Sequence, residues 1–316
     1  MLTPANGNRI ARDFNLGEDA VLSGPPTRGE LGQVWRLETA LGPFAVKEWF
    51  EDTPREELLE GAAFQEAAAA AGVACPRVVR RADGSLLTDI GGTIVAVYAW
   101  VDVLERDPTI DPEGVGELVA ALHHVPFAGR EPVHPWYSEP VGADRWSELV
   151  RELRARGAPF ADGLAALRDE LVALEALFEP PANVRTCHRD LWADNLRATI
   201  DGSLCLIDWD NTGHADPSGE LALLFFEFAR GDTTRAGALQ RSYLEAGGPG
   251  RVRVPSDFTM PIAMLGHIGE RQCELWLLAD TDEKRDRAAA GALEFIGEPL
   301  TRAVISDLLD AIGPSA

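Results

Sequence analysis

The feature that most constrains this chain is the stretch from residue 188 to residue 210. It opens with His188-Arg189-Asp190, runs through four spacers to Asn195, and closes on Ile-Asp208-Trp-Asp after a short β-rich segment. Transfer of a phosphoryl group to a hydroxyl needs a carboxylate at the attacking hydroxyl and oxygen ligands for Mg²⁺ on the nucleotide phosphates. Asp190 is suited to the first task, and Asn195 and Asp208 are suited to the second. The pattern therefore predicts a catalytic aspartate and a magnesium site.

The segment between the two metal ligands predicts a β-hairpin. Two strand-like runs, 196–200 and 203–207, are separated by Asp201-Gly202, a strong signal for a two-residue type I′ turn. In that register Asn195 lies opposite Asp208, and the Cβ atoms of opposed residues are about 5 Å apart. A surface hairpin with unrelated acids is the alternative, but the motif, the turn and the pairing agree. We expect one face to be buried: Leu196, Ala198, Ile200, Cys205 and Ile207.

Length and composition limit the class of protein. A chain of 316 residues with 46% hydrophobic residues can bury a large core and is expected to form two lobes. It contains no apolar run of about 18 residues, so we expect no membrane span. The N-terminus lacks the apolar region of a signal peptide, and the four cysteines show no zinc spacing. We therefore expect reduced thiols and a cytoplasmic location.

The net charge of −22 excludes one class of partner. Nucleic acid is not expected to bind, because its phosphates would be repelled. The acidic residues either keep the protein soluble or attract a cationic substrate to a cleft. Net charge alone does not choose between these two interpretations.

The first third of the chain is rich in strands and carries candidate nucleotide contacts. Gly29 and Gly32 belong to a turn that runs into an alternating strand, where backbone N–H groups could approach phosphates; a plain hairpin is the alternative. Lys47 lies inside the next predicted strand, 44–50, where a lysine usually faces solvent; here it resembles the strand lysine that pairs with the α- and β-phosphates of ATP. Ala99 and Val101 lie where strands give way to helices, so this linker could present its backbone to an adenine ring.

A helix with an Ala-rich sequence follows Lys47 and ends at Gly72. Glu60 lies on its otherwise apolar face, where a buried acid needs a partner. We expect that partner to be Lys47, with Glu57 as the second choice and a solvated helix acid as the alternative.

The rest of the chain is predicted to be mainly helical. Asp111-Pro112 opens one helix that ends near His123, for which we expect a structural role. We expect Asp216 and Glu220 to cap a later helix and to anchor a loop. Four acids near the end of the chain either face a cationic substrate or are simply solvated: Glu270, Glu274, Asp280 and Asp282.

Taken together, these motifs resemble the aminoglycoside phosphotransferase and choline kinase-like family. The resemblance covers about residues 20–300, and the motifs that carry it are Ala-Val-Lys47, Tyr-Ala-Trp-Val-Asp102, Leu122-His123, His188-Arg189-Asp190 with Asn195, and Ile207-Asp208-Trp209-Asp210. The chain departs from the common family form at Arg189, where Gly is usual. Asp208-Trp209-Asp210 replaces the Asp-Phe-Gly of protein kinases, and no Ala-Pro-Glu segment follows, which points away from protein substrates.

The resemblance implies an α+β, protein kinase-like bilobal fold. A small β-rich lobe, residues 1–101, would bind nucleotide, and a larger helical lobe, residues 102–316, would hold the catalytic and substrate residues. It implies transfer of the γ-phosphoryl group of ATP, with Mg²⁺, to the hydroxyl of a small molecule.

By position, the resemblance makes Asp190 the catalytic aspartate, Asn195 and Asp208 the metal ligands, and Lys47 with Glu60 the phosphate pair. The acceptor is expected to be a cationic antibiotic of aminoglycoside type or an amino sugar. The alternatives are a metabolite such as choline, homoserine or a sugar, and a nucleotide-binding pseudokinase that regulates a partner.

Overall fold

The computed structural model describes residues 1–28, 32–50, 54–129 and 132–313. Their strands are β1 Val21–Arg28, β2 Gly32–Thr39, β3 Gly42–Trp49, β4 Val78–Val79, β5 Thr88–Asp89, β6 Ile94–Ala99, β7 Arg185–Cys187, β8 Leu196–Ala198, β9 Leu204–Leu206 and β10 Gly213–Ala215. Their α-helices are α1 Gly7–Asp13, α2 Arg55–Ala70, α3 Pro112–His123, α4 Ala143–Ala155, α5 Ala161–Glu175, α6 Pro217–Ala229, α7 Thr233–Glu245, α8 Thr259–Leu278, α9 Asp282–Gly297 and α10 Arg302–Ile312. Short 3₁₀ helices are Pro4–Asn6, Pro135–Tyr137 and Pro255–Phe258.

The chain divides into two compact units that do not follow chain order. The first unit comprises residues 1–107, 125–127 and 194–212, and the second comprises 108–124, 128–193 and 213–316. The hairpin β8–β9 and the Asp-Trp-Asp sequence after it therefore belong to the first unit, whereas Asp190 belongs to the second. The functional division at residue 101 stays a prediction.

The first unit is built on an antiparallel sheet of order β1-β2-β3-β6-β4, with β5 also paired to β6. Alternating apolar residues put one face into a core with Trp35, Leu37 and Val46, and the other face packs against α2. Lys47 sits centrally in this sheet, opposite Val34 on β2 and Ala96 on β6.

The N-terminus contains a helix that the sequence analysis missed. Residues 7–13 form α1, which the sequence patterns did not indicate. Ile10 and Ala11 are fully buried, and Phe14, just after the helix, is 2% exposed in the core that contains Leu22 and Leu37. Two short turns of helix suffice here because packing on the sheet, rather than intrinsic propensity, supplies the stability.

The second unit is helical, as predicted. Its main core gathers residues of α4, α5, α8 and α9, with Trp146 fully buried. Asp111 caps α3 by accepting from the N–H groups of Glu113 and Gly114, and Asp216 caps α6 by accepting from the N–H of Ser218. The short β7–β10 pair sets Gly213 opposite Cys187, directly before His188.

None of the helices in the described part of the chain combines the length and the apolar character needed to cross a membrane.

Candidate functional site

Lys47 is held between two carboxylates of the Asp-Trp-Asp turn, which we define as residues 208–210. Its Nζ lies 2.7 Å from Oδ1 of Asp208 and 2.6 Å from Oδ2 of Asp210. The indole N–H of Trp49, two residues along the same strand, donates to the same Asp210 oxygen at 2.8 Å. The side chains of Lys47 and Asp210 are only 12% and 11% exposed, whereas that of Asp208 is 45% exposed. Asp208 is therefore the carboxylate that faces solvent and could take a further ligand.

The electrostatics of this group keep the lysine charged. Burial alone would lower the pKa of Lys47, but the carboxylates of Asp208 and Asp210 outweigh it and raise that pKa above its usual value. Burial, with the neighbouring Asp208 carboxylate, raises the pKa of Asp210, and the Lys47 ammonium opposes this. Lys47 thus contacts both acids of the Asp-Trp-Asp turn.

The turn owes its shape to backbone and aromatic packing. Asp208 has φ of +59°, a left-handed conformation that a non-glycine residue seldom adopts. Trp209 is 4% exposed, donates its indole N–H to the Leu206 carbonyl at 3.2 Å, and meets Phe64 of α2 edge-on with ring centroids 5.5 Å apart. Gly61 of α2 lets the helix approach, since a Cβ there would lie 2.7 Å from the Trp209 carbonyl oxygen.

The hairpin exists, but its predicted register was wrong by one residue. Leu196 pairs with Leu206 and Ala198 with Leu204, so Asn195 lies opposite Ile207 and not opposite Asp208. The Ile207 N–H donates to the Asn195 carbonyl at 2.9 Å, one residue before Asp208. The predicted buried face changes accordingly: Leu196 and Cys205 are buried, but Ile200 is 72% exposed.

The turn chemistry explains the register. A type I′ turn needs positive φ at both central residues, but only Gly202 has it, at +86°. Asp201 instead accepts hydrogen bonds from the Thr199 hydroxyl at 2.5 Å and the Ser203 N–H at 3.0 Å. These bonds stabilise a three-residue loop closed by the Thr199 N–H to the Ser203 carbonyl, at 2.8 Å.

In the second unit, Asp190 follows a residue with unusual backbone geometry. Arg189 has φ of +64°, and its N–H donates to a carboxylate oxygen of Glu220. The guanidinium carbon of Arg189 lies 4.3 Å from the ring centroid of Tyr137. The same carbon lies beside Gly213, and a Cβ added at Gly213 would be only 2.5 Å from it. The expected loop-anchoring role of Glu220 is confirmed. Nε2 of His123 also lies 2.8 Å from Glu220, a contact that the sequence around His123 does not indicate.

The late acids serve as partners of basic residues. Arg145 of α4 contacts Glu270 at 2.7 Å and Glu274 at 2.5 Å. Asp280 pairs with Lys284 and Asp282 with Arg285. Each of these four acids therefore contacts a basic side chain within the second unit, and Arg145 is shared by Glu270 and Glu274.

The predicted nucleotide contacts are the two glycines, the linker residues after β6 and Glu60 of α2. Gly29 lies outside the described residues. Gly32 is required by the sheet, because a Cβ there would lie 2.4 Å from the Glu48 carbonyl oxygen; a role near phosphates stays a prediction. Ala99 ends β6 and donates its N–H to the Arg77 carbonyl at 2.8 Å, and Val101 follows in the linker. Glu60 is half-buried on α2, and its pairing with Lys47 stays a prediction.

The residues present fit a magnesium ion. Asn195 and Asp208 both belong to the first unit and offer amide and carboxylate oxygens, the ligands that Mg²⁺ prefers. Asp210 was not singled out by sequence reasoning as a site residue. The Asp-x-Asp spacing could have indicated it, because Asp208 and Asp210 both contact the Lys47 ammonium.

These features define a protein kinase-like α+β fold, and solved structures of known proteins confirm that fold. A solved spectinomycin phosphotransferase, in complex with ADP and spectinomycin, superposes with a TM-score of 0.68 over 98% of both chains at 11% identity. The choline kinase from Streptococcus pneumoniae gives a TM-score of 0.58 over 88% of this chain and 94% of its own, at 18% identity. The model of the APH phosphotransferase enzyme family matches residues 25–254, and the chain belongs to that family.

The curated relatives are more similar in sequence but match over shorter stretches. The homoserine kinase of Methylorubrum populi is 32% identical over 145 residues, which cover 45% of this chain and 44% of the relative. That of a Methylobacterium species is 27% identical over 178 residues, 55% of this chain and 54% of the relative. The chain thus spans about half the length of the curated relatives it matches.

Proposed function

We propose that this protein is an ATP-dependent kinase that transfers the γ-phosphoryl group to a hydroxyl of a small molecule. The observation that carries this proposal is the Lys47 ammonium held at 2.6–2.7 Å by both acids of the Asp-Trp-Asp turn. A buried lysine beside an exposed carboxylate can neutralise nucleotide phosphates and leave an oxygen ligand for a metal.

Each residue has a separate task in this proposal. Asp190 orients the acceptor hydroxyl and takes its proton, since a carboxylate is the base that phosphoryl transfer to an alcohol requires. Lys47 binds the α- and β-phosphates, with Glu60 as its proposed partner from α2. Asn195 and Asp208 would hold Mg²⁺, which neutralises phosphate charge when bound.

The nucleotide base would lie against the linker after β6. Because the Ala99 N–H already donates to the Arg77 carbonyl, we expect the hydrogen bonds to adenine to come from the Ala99 carbonyl and from the backbone of Val101. Gly29 and Gly32 remain the proposed glycines near the phosphates. The cytoplasmic location also stays a prediction.

For the acceptor we favour a small amino alcohol or hydroxy amino acid of the homoserine type. The four late acids already contact Arg145, Lys284 and Arg285, which makes them a poorer site for a polycationic antibiotic than for a ligand with a single amine. The curated relatives, moreover, are homoserine kinases. A cationic antibiotic of aminoglycoside type, or an amino sugar, is the second candidate, because the net charge of −22 would attract it. A role in antibiotic resistance would follow only from that second candidate.

The test is ADP release that depends on Mg²⁺ and ATP, measured over a panel of acceptors. The panel contains homoserine, choline, ethanolamine, spectinomycin, kanamycin and glucosamine. We expect turnover with homoserine or another small amino alcohol. Turnover with kanamycin or spectinomycin alone would replace the favoured acceptor class by the second candidate.

Two variants and a matched control make the assignment specific. Asp190→Asn should reduce kcat by at least about a thousandfold, with Kd for ATP within about twofold of wild type. Asp208→Ala should weaken binding of Mg²⁺-ATP as well. Asp169→Asn, which changes a carboxylate that is 90% exposed on α5, should leave both quantities unchanged. Nucleotide binding without transfer to any acceptor on the panel would favour the pseudokinase alternative.

A further inference from the structure

The side chain of Arg189 occupies a position whose backbone would suit a glycine. With φ of +64° the residue lies in the left-handed region, which disfavours a residue with a side chain by about five- to thirtyfold in population. This is also the position at which the sequence departs from the common family form, where Gly is usual. Backbone geometry therefore does not favour an arginine here, and its contribution must come from the contacts of the guanidinium group.

The guanidinium group of Arg189 contacts an aromatic ring and lies against a glycine. Its central carbon is 4.3 Å from the ring centroid of Tyr137, which is within the range of a cation–π contact. A Cβ added at Gly213 on β10 would have guanidinium atoms as its three nearest contacts, at 2.5, 2.5 and 2.7 Å. Tyr137 is 8% exposed, so the contact between the cation and the ring is largely shielded from water. Gly213 thus leaves the space that the guanidinium needs to reach the ring.

Tyr137 belongs to a short segment that depends on its surroundings, the Trp136 turn, which we define as residues 133–138. Its regular structure is a single 3₁₀ turn, and such a short element depends on packing for its stability. On one side, the Trp136 ring stacks on His267 of α8 with ring centroids 5.1 Å apart. On the other, the Tyr137 ring contacts Arg189. One aromatic residue therefore connects the turn to α8, and the next connects it to the stretch that contains the candidate catalytic aspartate.

The Trp136 turn lies close to Asp190. Burial raises the pKa of Tyr137 to about 12; the Arg189 guanidinium opposes this shift, and the Asp190 carboxylate adds to it. The Asp190 carboxylate is thus near enough to interact electrostatically with the Tyr137 hydroxyl. Trp136 and Trp192, the latter two residues after Asp190, both pack against the core that contains Tyr137. A small molecule whose hydroxyl meets Asp190 would therefore lie beside this turn.

We propose that Arg189 is a positioning residue that fixes the Trp136 turn beside Asp190, where the turn forms one wall of the acceptor site. This inference rests on the proposed kinase function and on the catalytic role of Asp190. It assigns the guanidinium to binding of the acceptor and not of the nucleotide. Tyr137 and Gly213 both belong to the second unit with Asp190, whereas Lys47 belongs to the first.

Arg189→Gly tests positioning with little change in stability, because relief of the left-handed conformation offsets the lost contact. We expect KM for the acceptor to rise about three- to thirtyfold, the range of a cation–π contact that is shielded from water. KM for ATP should stay within about twofold of wild type, and the urea midpoint should change little. An unchanged KM for the acceptor, or an equal rise in KM for ATP, would overturn the proposal.

Gly213→Ala perturbs the same contact from its other side. The added Cβ must displace the guanidinium, which is the end of a flexible side chain, from the Tyr137 ring, while the charge is retained. KM for the acceptor should rise as it does in Arg189→Gly. In the double variant, Gly213→Ala should add less than about twofold, because the group that it displaces is absent. Effects that multiply in the double variant would overturn the proposal.

Gly237→Ala on α7 is the matched control for Gly213→Ala. Gly237 also lies beside an arginine, but its added Cβ would meet the Arg241 guanidinium at 3.5 Å, an ordinary contact. We expect both KM values of this variant to stay within about twofold of wild type. A rise in KM for the acceptor equal to that of Gly213→Ala would mean that any alanine beside an arginine has this effect, and would overturn the assignment to Arg189.

Amide hydrogen exchange measures the anchoring step without turnover. The N–H groups of Tyr137 and Ser138 donate to carbonyls within the Trp136 turn, at 2.9 and 3.1 Å. In Arg189→Gly, exchange in the peptide 133–139 should accelerate by about three- to thirtyfold, because the turn opens more often. Exchange in α5 should stay within about twofold of wild type. Unchanged exchange at 133–139 would overturn the proposal.

The two proposals fail differently. If wild-type protein turns over no acceptor, the kinase function fails, while the exchange measurement still reports whether Arg189 holds the Trp136 turn. If wild type is active and Arg189→Gly loosens the turn without raising KM for the acceptor, the turn is not a wall of the acceptor site, and the kinase function stands.

Discussion

Gly61 offers a direct test of how α2 meets the Asp-Trp-Asp turn. A Cβ at this position would lie 2.7 Å from the Trp209 carbonyl oxygen and 3.9 Å from Cβ of Thr212. Ordinary contact begins near about 3.5 Å, so Gly61→Ala must move the helix from the turn by about 0.8 Å. The neighbour is backbone, and it cannot rotate away as a flexible side chain would.

The magnitude follows from two opposed effects. Alanine in a helix interior is about 1 kcal/mol more favourable than glycine, whereas overpacking a filled contact costs about 1–3 kcal/mol. Gly61→Ala should therefore lower the free energy of unfolding by about 1 kcal/mol. Gly237 of α7 is the matched control, because its added Cβ would make only ordinary contacts, with the Arg241 guanidinium at 3.5 Å and the Ala311 carbonyl oxygen at 3.9 Å. Gly237→Ala should be neutral or stabilising by up to about 1 kcal/mol.

The assay is urea unfolding of wild type and both variants at pH 7, combined with titration of Mg²⁺-ATP. Because Asp208 belongs to the displaced turn, Gly61→Ala should also weaken Mg²⁺-ATP binding, and Gly237→Ala should not. If the two alanine variants are equally stable and bind ATP equally, then α2 does not press on the Trp209 carbonyl and the reasoning is wrong.

Three further predictions use other parts of the chain. The pKa of Glu220 is lowered from its ordinary value of 4.5 in the folded protein, so the ionised side chain stabilises the fold at pH values above 4.5. This stabilisation is lost as the pH falls below 4.5. The difference in urea midpoint between wild type and Glu220→Gln should therefore shrink from about pH 7 to about pH 4. Gly202, at φ of +86°, closes the hairpin loop, so Gly202→Ala should cost about 1 kcal/mol in unfolding free energy, and no loss would exclude the observed turn. Lys47→Met leaves Asp210 buried without its cation and should lower the free energy of unfolding by about 3 kcal/mol. Adding Asp210→Asn should restore part of that free energy. Strict additivity of the two changes would contradict the pairing.

The parts of the site that could be predicted are those encoded by neighbours in the chain. The spacing of Asp190 and Asn195, and the lysine inside a strand, are local patterns with a chemical reason, and the helix cap at Asp216 follows from its own sequence. The hairpin between Asn195 and Asp208 was also predictable as a hairpin. Its register was not, because Asp201 hydrogen bonds to Thr199 and Ser203 and so selects a three-residue loop.

Contacts between distant residues could not be predicted in this way. Nothing in the sequence around His123 reveals that Glu220 will lie 2.8 Å from one ring nitrogen and Tyr243 2.7 Å from the other. Nor does the sequence around Glu270 reveal that Arg145 will contact it at 2.7 Å. A single sequence shows which side chains are suited to chemistry, but the pairing of charges depends on packing that brings separate helices together.

Arg189 and Asp208, two of the non-glycine residues with positive φ in the described chain, both lie in the stretch 188–210. Residues in such conformations persist only where their surroundings fix them. Within the second unit Glu220 fixes Arg189 through its N–H, and within the first unit Lys47 binds the side chain of Asp208. A charged group therefore contacts each of these two residues, at the backbone N–H of Arg189 and at the side chain of Asp208. For this reason, loss of activity after mutation of Lys47 or Glu220 does not by itself identify a chemical role.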